Sequence, residues 1–184
     1  LYTGDEVSLY GWADAHTLLA SDLQNLTWIG DDGIVKQSLS SADLYGQDQY
    51  GVTSANTVRI HPLNPDLLLV STELLPAAAS AASKEATSQA AASKAAAGKD
   101  ATNVKAVTIL PGPAFFLYEI RSKRRVLLSP PNMLSSDAEW SGDGLQIFFT
   151  GRDPNRQAAT IYRMFWDGTS QVKIHDGYSY VIGQ

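Results

Sequence analysis

The sequence predicts an all-β chain built on a repeated four-stranded unit, and three observations carry the prediction. Short apolar runs recur along the chain, and outside one segment none shows a 3.6-residue period. Asp-Gly dipeptides at Asp32-Gly33, Asp143-Gly144 and Asp167-Gly168 separate several of these runs. Such pairs suit tight hairpins, because Gly reaches positive φ without steric cost. Finally, one strand–turn–strand–loop–strand–turn–strand pattern returns along the chain.

The clearest copy is the last, over about 134–175. Ala138-Glu139-Trp140-Ser141-Gly142-Asp143-Gly144 leads into Ile147-Phe148-Phe149-Thr150. After a polar loop come Ile161 to Phe165, the turn at Asp167-Gly168, and Val172 to Ile174. The first unit, about 7–40, lays Trp12 on Trp140 and Leu18-Leu19-Ala20-Ser21 on Ile147 to Thr150. Its second hairpin is Leu26 to Ile29, then Asp31-Asp32-Gly33, then Ile34 to Leu39. The middle unit, about 57–75 plus 107–128, lays His61 on Trp140 and Leu68-Leu69-Val70 on Ile147 to Phe149. Its second hairpin is Phe116 to Ile120 and Arg125 to Leu128.

Between the halves of the middle unit lies Pro76 to Ala106, with 14 Ala, 4 Ser and 4 Lys among 31 residues. It holds no aromatic residue and no apolar one larger than Val104. That composition buries little surface to offset ordering entropy, so a flexible or helical insertion looping out of the domain is expected. Residues 176–184, with Tyr178 to Ile182, are expected to begin a further strand.

The steps between units agree. Trp12 to His61 is 49 residues, and His61 to Trp140 is 79, which becomes 48 without the insertion. A period in the forties with four strands per unit marks propeller blades. The expected fold is a partial β-propeller of about three blades; a small β-sandwich is the alternative.

The last unit resembles the WD40-like (PD40) repeat of TolB-type β-propellers. The resemblance rests on Trp140-Ser141-Gly142-Asp143-Gly144, Phe149-Thr150, Arg152-Asp153, Ile161-Tyr162 and Asp167-Gly168, with Gly142 where the family usually has Pro. It is strong over 138–174 and weak over 9–128. Such repeats specify a fold and leave function open. The resemblance implies a periplasmic or extracellular setting, with the cytoplasm as the alternative.

Composition narrows the function. The 184-residue chain has a net charge of -5, the wrong sign for a general nucleic-acid binder. It has no Cys, which removes disulfides and thiolate chemistry, and no apolar run long enough to span a bilayer. It begins without Met and enters a strand pattern almost at once, as expected of a piece of a longer or processed chain. His16, His61 and His175 fall at non-equivalent repeat positions without metal-ligand spacing, and no G-x-S-x-G elbow is present. No catalytic residues, metal site or cofactor are therefore expected in this segment.

The candidate interaction residues are in loops: Arg121, Lys123, Arg124 and Arg125 in the one basic run, and Arg152, Asp153 and Arg156 in a second loop. Trp12, His61, Trp140, Asp143, Gly144, Asp167 and Gly168 are read as structural repeat positions, with Trp12 and Trp140 packing between blades. Trp28 and Trp166 lie in or beside second hairpins; core packing is the default expectation for them, with an exposed, binding role as the alternative. Three blades do not close a ring, so a protein partner is expected: the remaining blades, another subunit or a complex. The leading expectation is a non-catalytic scaffold for protein–protein interaction. The alternatives are the accessory propeller of a prolyl-oligopeptidase-like serine peptidase with its catalytic domain elsewhere, and a sensor propeller for a small molecule or glycan.

Overall fold

Alternating side chains and tight turns make each unit a simple antiparallel meander. A computed structural model describes residues 7–22, 24–45, 55–97, 106–155 and 158–177. Blade 1 comprises β1 (Ser8–Asp14), β2 (Thr17–Ser21), β3 (Asn25–Gly30) and β4 (Val35–Ser40), and the short helix α1 (Ser41–Tyr45) follows it. Blade 2 comprises β5 (Ala55–His61), β6 (Asn64–Leu74), β7 (Gly112–Glu119) and β8 (Arg124–Leu127), with helix α2 (Pro76–Ala96) between β6 and β7. Blade 3 comprises β9 (Leu134–Trp140), β10 (Gln146–Arg152), β11 (Ala159–Phe165) and β12 (Val172–Asp176). Each is a separate four-stranded sheet in sequential order. The first strands meet across blades, β1 with β5 and β5 with β9, so they are the inner strands of a partial propeller. The expected strand at 178–182 lies outside the described residues.

The Asp-Gly turns share one local chemistry. Asp32, Asp143 and Asp167 each accept a backbone N–H two residues on, from Ile34 (2.9 Å), Leu145 (3.0 Å) and Thr169 (2.9 Å). The following glycines take φ of 77°, 71° and 84°. The donors at these carboxylates favour the charged form and lower all three pKa values; the largest causes are the side chains of Lys36, Ser141 and Thr169 respectively.

Blade 2 is covered on both faces, which explains its unbroken apolar runs. On β6, Leu68 and Val70 face blade 1 and pack with Leu19, Leu26 and Trp28. Leu69 faces blade 3 and packs with Trp140, Ile147 and Phe149. On β7, Phe116 and Tyr118 take the first side, Phe115 and Leu117 the second. A strand with water on one face would alternate apolar and polar residues; these do not.

The registers refine the repeat. Trp140 pairs with Ile147, and Trp12 with Leu18, at equivalent positions. In blade 2 the partner of Leu68 is Ile60. Ile60 therefore stands where the tryptophans stand, and His61 is displaced by a register shift immediately after it. Trp12 also departs from expectation. It is 66% exposed where Trp140 is 7% exposed, because its face of blade 1 points away from blade 2. Trp28, at 6% exposure, is core between blades 1 and 2. Trp166 is exposed.

The insertion is less detached than its composition suggests. The start of α2 docks on the sheet, burying Ala79 and Ala82; Ala82 clusters with Leu74, Ile109 and Ala114. Ser83 Oγ and Thr87 Oγ1 accept the N–H groups of Ile109 (2.7 Å) and Val107 (2.9 Å), anchoring the returning chain to the helix. Hydroxyls and alanines do this without a hydrophobic stripe, so the amphipathic signal is absent from the sequence.

Candidate functional site

The basic run forms the turn between β7 and β8. Lys123 adopts φ of 54° at its tip, and Ser122 Oγ donates to Glu119 Oε2 at 2.5 Å. Three of its four cations are engaged within the molecule. Arg121 Nε lies 2.6 Å from Asp66 Oδ2, at the start of β6. Lys123 Nζ lies 3.2 Å from Asp43 Oδ1, on α1. Arg125 donates from Nη2 to the Asp43 carbonyl at 3.1 Å, and its Nε is buried without a partner. The run thus fastens the link after blade 1 to the outer hairpin of blade 2. Arg124 is exposed and has no ion pair among the described residues.

The second loop lies elsewhere. In a meander, successive turns alternate between the two ends of the blade. The β7–β8 turn shares an end with the β5–β6 turn, as the Arg121–Asp66 pair requires. The β10–β11 connection, with Arg152 and Asp153, lies at the opposite end together with α2. Arg152 is exposed, and Asp153 Oδ1 accepts the Asn155 N–H at 2.9 Å. Arg156 lies outside the described residues. The two candidate loops therefore do not form one surface.

At the β5–β6 end, His61 bridges blades 2 and 3. Its Nδ1 accepts the N–H groups of Leu63 (3.1 Å) and Asn64 (3.0 Å), which leaves Nε2 to donate to the Gly144 carbonyl at 3.1 Å. The ring meets Trp140 edge-on at 4.6 Å, and the indole N–H donates to the Arg59 carbonyl at 3.2 Å. Desolvation lowers the pKa of His61, opposed by its bond to Gly144. A Cβ on Gly144 would fall on the imidazole, so this glycine is required by close approach as well as by φ. His16 is engaged elsewhere, 2.8 Å from Asp31. Among the described residues no group of three or more His, Cys, Asp or Glu could hold a metal.

Arg59, on the inner strand β5, was not singled out by the sequence reading. Its Nε lies 2.6 Å from Glu139 Oε1 on β9, and its Nη1 reaches the Tyr10 carbonyl on β1 at 3.5 Å. One side chain thus touches all three inner strands. Its only sequence signal is a charge between Val58 and Ile60 in an apolar strand.

The remaining surfaces are the outer faces of blades 1 and 3, each exposed only in part: Ala20, Thr27 and Ile29 on the first and Thr150, Ala159 and Ile161 on the second are buried. On blade 1, Trp12, Val35 and Leu9 are exposed. On blade 3, Phe165 and Val172 are exposed. In the register, Trp12, Leu18, Ile29 and Val35 line one face of blade 1, opposite Leu19 and Trp28. Phe165 and Arg163 alternate with Met164, which points to blade 2.

Comparison with family models and with curated proteins gives no match. Among solved structures, the chain is similar to a TolB-type protein from Agrobacterium tumefaciens, at 14% identity and a TM-score of 0.39, covering 92% of this chain and 61% of that one. It is also similar to a dipeptidyl aminopeptidase IV-type protein from Bacteroides ovatus, at 9% identity and a TM-score of 0.40, covering 90% of this chain and 28% of that one. An oligogalacturonate lyase solved in complex with manganese matches at 10% identity and a TM-score of 0.41, covering 93% of this chain and 53% of that one. The chain thus spans 28% to 61% of the length of these structures. No helix among the described residues is long and apolar enough to cross a membrane.

Proposed function

We propose that this chain is a non-catalytic propeller segment whose role is protein–protein interaction, its free blade faces closing against further blades of a longer chain or an assembly. The observation that carries this reading is the contrast between two equivalent residues. Trp140 is 7% exposed against blade 2, whereas Trp12, in the same register position of blade 1, is 66% exposed. Each internal blade contact joins the leading face of one blade to the trailing face of the one before. One face of each kind, on blade 1 and on blade 3, meets no neighbouring blade among the described residues, and each exposes large apolar side chains: Leu9, Trp12 and Val35 on the first, Phe165 and Val172 on the second. Exposed apolar surface of this kind marks contact sites, and a large exposed aromatic is the usual anchor. A periplasmic or extracellular location belongs to the same reading.

Sedimentation of the 184-residue chain across a range of concentrations tests it. Association that weakens in Trp12→Arg is the expected result. A compact monomer at every concentration, with no dye binding to its blade faces, would remove the reading.

A further inference from the structure

A cleft of about 450 Å³ runs along the outer edge of β8, within the roughly 300–1,000 Å³ usual for ligand sites. One wall is α2, which presents Ala82, Glu85, Ala86 and Gln89, spaced as one helix face. The opposite wall is the turn of blade 3 at Asp167 and Gly168. The two alanines and the glycine leave the width between these walls open.

Strand β8 is the last in its sheet and pairs only with β7. Leu128 N–H donates to the Phe115 carbonyl, and the register pairs Leu117 with Val126 and Glu119 with Arg124. In an antiparallel ladder alternate residues bond to the partner strand, so Val126 and Arg124 point their backbone groups at β7. The N–H and C=O groups of Arg125 and Leu127 then point outward, into the cleft. Arg124, also on its lining, is the member of the basic run whose side chain makes neither an ion pair nor a hydrogen bond to another described residue; Arg125, also without an ion pair among them, is held by the Asp43 carbonyl.

We propose that this cleft binds an extended acidic peptide segment of a partner protein, added as a fifth strand along β8 with a carboxylate against Arg124. An unpaired edge beside a helix is the arrangement that strand addition uses: main-chain bonds supply affinity and flanking side chains supply selection. The four residues of β8 offer about 13 Å of edge at roughly 3.3 Å per residue, enough for three or four peptide residues. The site is separate from the free blade faces and does not depend on them.

The probe is a terminally blocked, fluorescein-labelled peptide, Glu-Val-Thr-Val-Thr-Glu, with a carboxylate at each end so that either strand direction meets Arg124. Saturable binding by anisotropy is expected, with amide NMR shifts centred on Arg125 and Leu127. Arg124→Gln should weaken binding about fivefold, the upper end for an exposed ion pair. Ala86→Trp, which fills the cleft, should abolish binding while the melting temperature stays close to the parent's. A peptide N-methylated at its central residues should not bind; this control leaves the protein untouched if the Trp variant misfolds. The proposal is overturned if the acidic peptide fails to bind at millimolar concentration, if the N-methylated or a lysine-ended peptide binds equally well, or if the shifts gather around Trp12.

Discussion

Trp12 and Trp140 occupy the same place in the repeat, and their surroundings decide what each contributes. Trp140→Ala removes a large aromatic from a filled interface and leaves the Arg59 carbonyl without its indole donor. A loss of about 3–5 kcal/mol is expected in urea unfolding. Trp12→Ala should cost less than about 1 kcal/mol in the monomeric chain, because its ring is in water there. Equal losses would mean that the face of blade 1 is already covered. His61 supplies a pH test. Its folded-state pKa lies below the ordinary 6.5, so the folded chain resists protonation that the unfolded chain accepts. Its contribution is complete above about pH 6.5 and is lost as the pH falls from there towards the lowered folded value. The Nδ1 atom that accepts two backbone N–H groups cannot do so once protonated. The urea midpoint should fall between pH 7.5 and 5.5, and less so in His61→Gln; parallel profiles would show that His61 carries no linkage. The repeat was readable in the sequence because Trp and Asp-Gly recur, but the pairing of Arg59 with Glu139 was not. Those two residues lie 80 apart in the chain and meet only when blades 2 and 3 pack.

At the scale of elements, burial on two faces made blade 2 the most readable unit. Leu67 to Val70 and Phe115 to Tyr118 are apolar throughout because each strand serves two interfaces. The outer strands β4, β8 and β12 read more weakly, and β4 and β12 carry Lys36 and Lys173. Charges on edge strands oppose unwanted sheet pairing. Helix α2 was readable only as an alanine-rich insertion, flexible or helical, and its docking through Ala82, Ser83 and Thr87 was not readable, since small and hydroxyl side chains leave no periodic pattern. The β6–β7 ladder continues to Leu74 opposite Gly112, so the two strands already meet where the insertion leaves. Replacing residues 76–110 with a short Gly-containing turn should therefore preserve the sheet. The cost should be about 1–2 kcal/mol, from uncovering Leu74 and Ala114. Circular dichroism should lose its helical component and retain a cooperative β transition. Loss of cooperativity would place α2 within the folding core.

For the whole molecule, the central question is whether three blades unfold as one body. Alternate residues of β6 and β7 line the two interfaces, so neither interface can open without disturbing strands that form the other. Arg59 adds a polar link at the inner strands, joining β5 to Glu139 on β9 and to the Tyr10 carbonyl on β1. Its side chain is about one-third exposed, at 34%, so solvent screening limits the ion pair to roughly 1 kcal/mol, and packing has to supply most of the coupling. Single-tryptophan chains separate the interfaces. Trp28 alone reports the contact of blades 1 and 2, and Trp140 alone that of blades 2 and 3. With the other tryptophans changed to Phe, the two urea transitions should coincide in midpoint and slope, as in a two-state domain. Arg59→Ala should lower both midpoints together, because the side chain reaches both neighbouring blades. If Trp28 were released at lower urea than Trp140, blade 1 would be a separately melting unit, and blade 2 would not couple its neighbours as its alternating strands require.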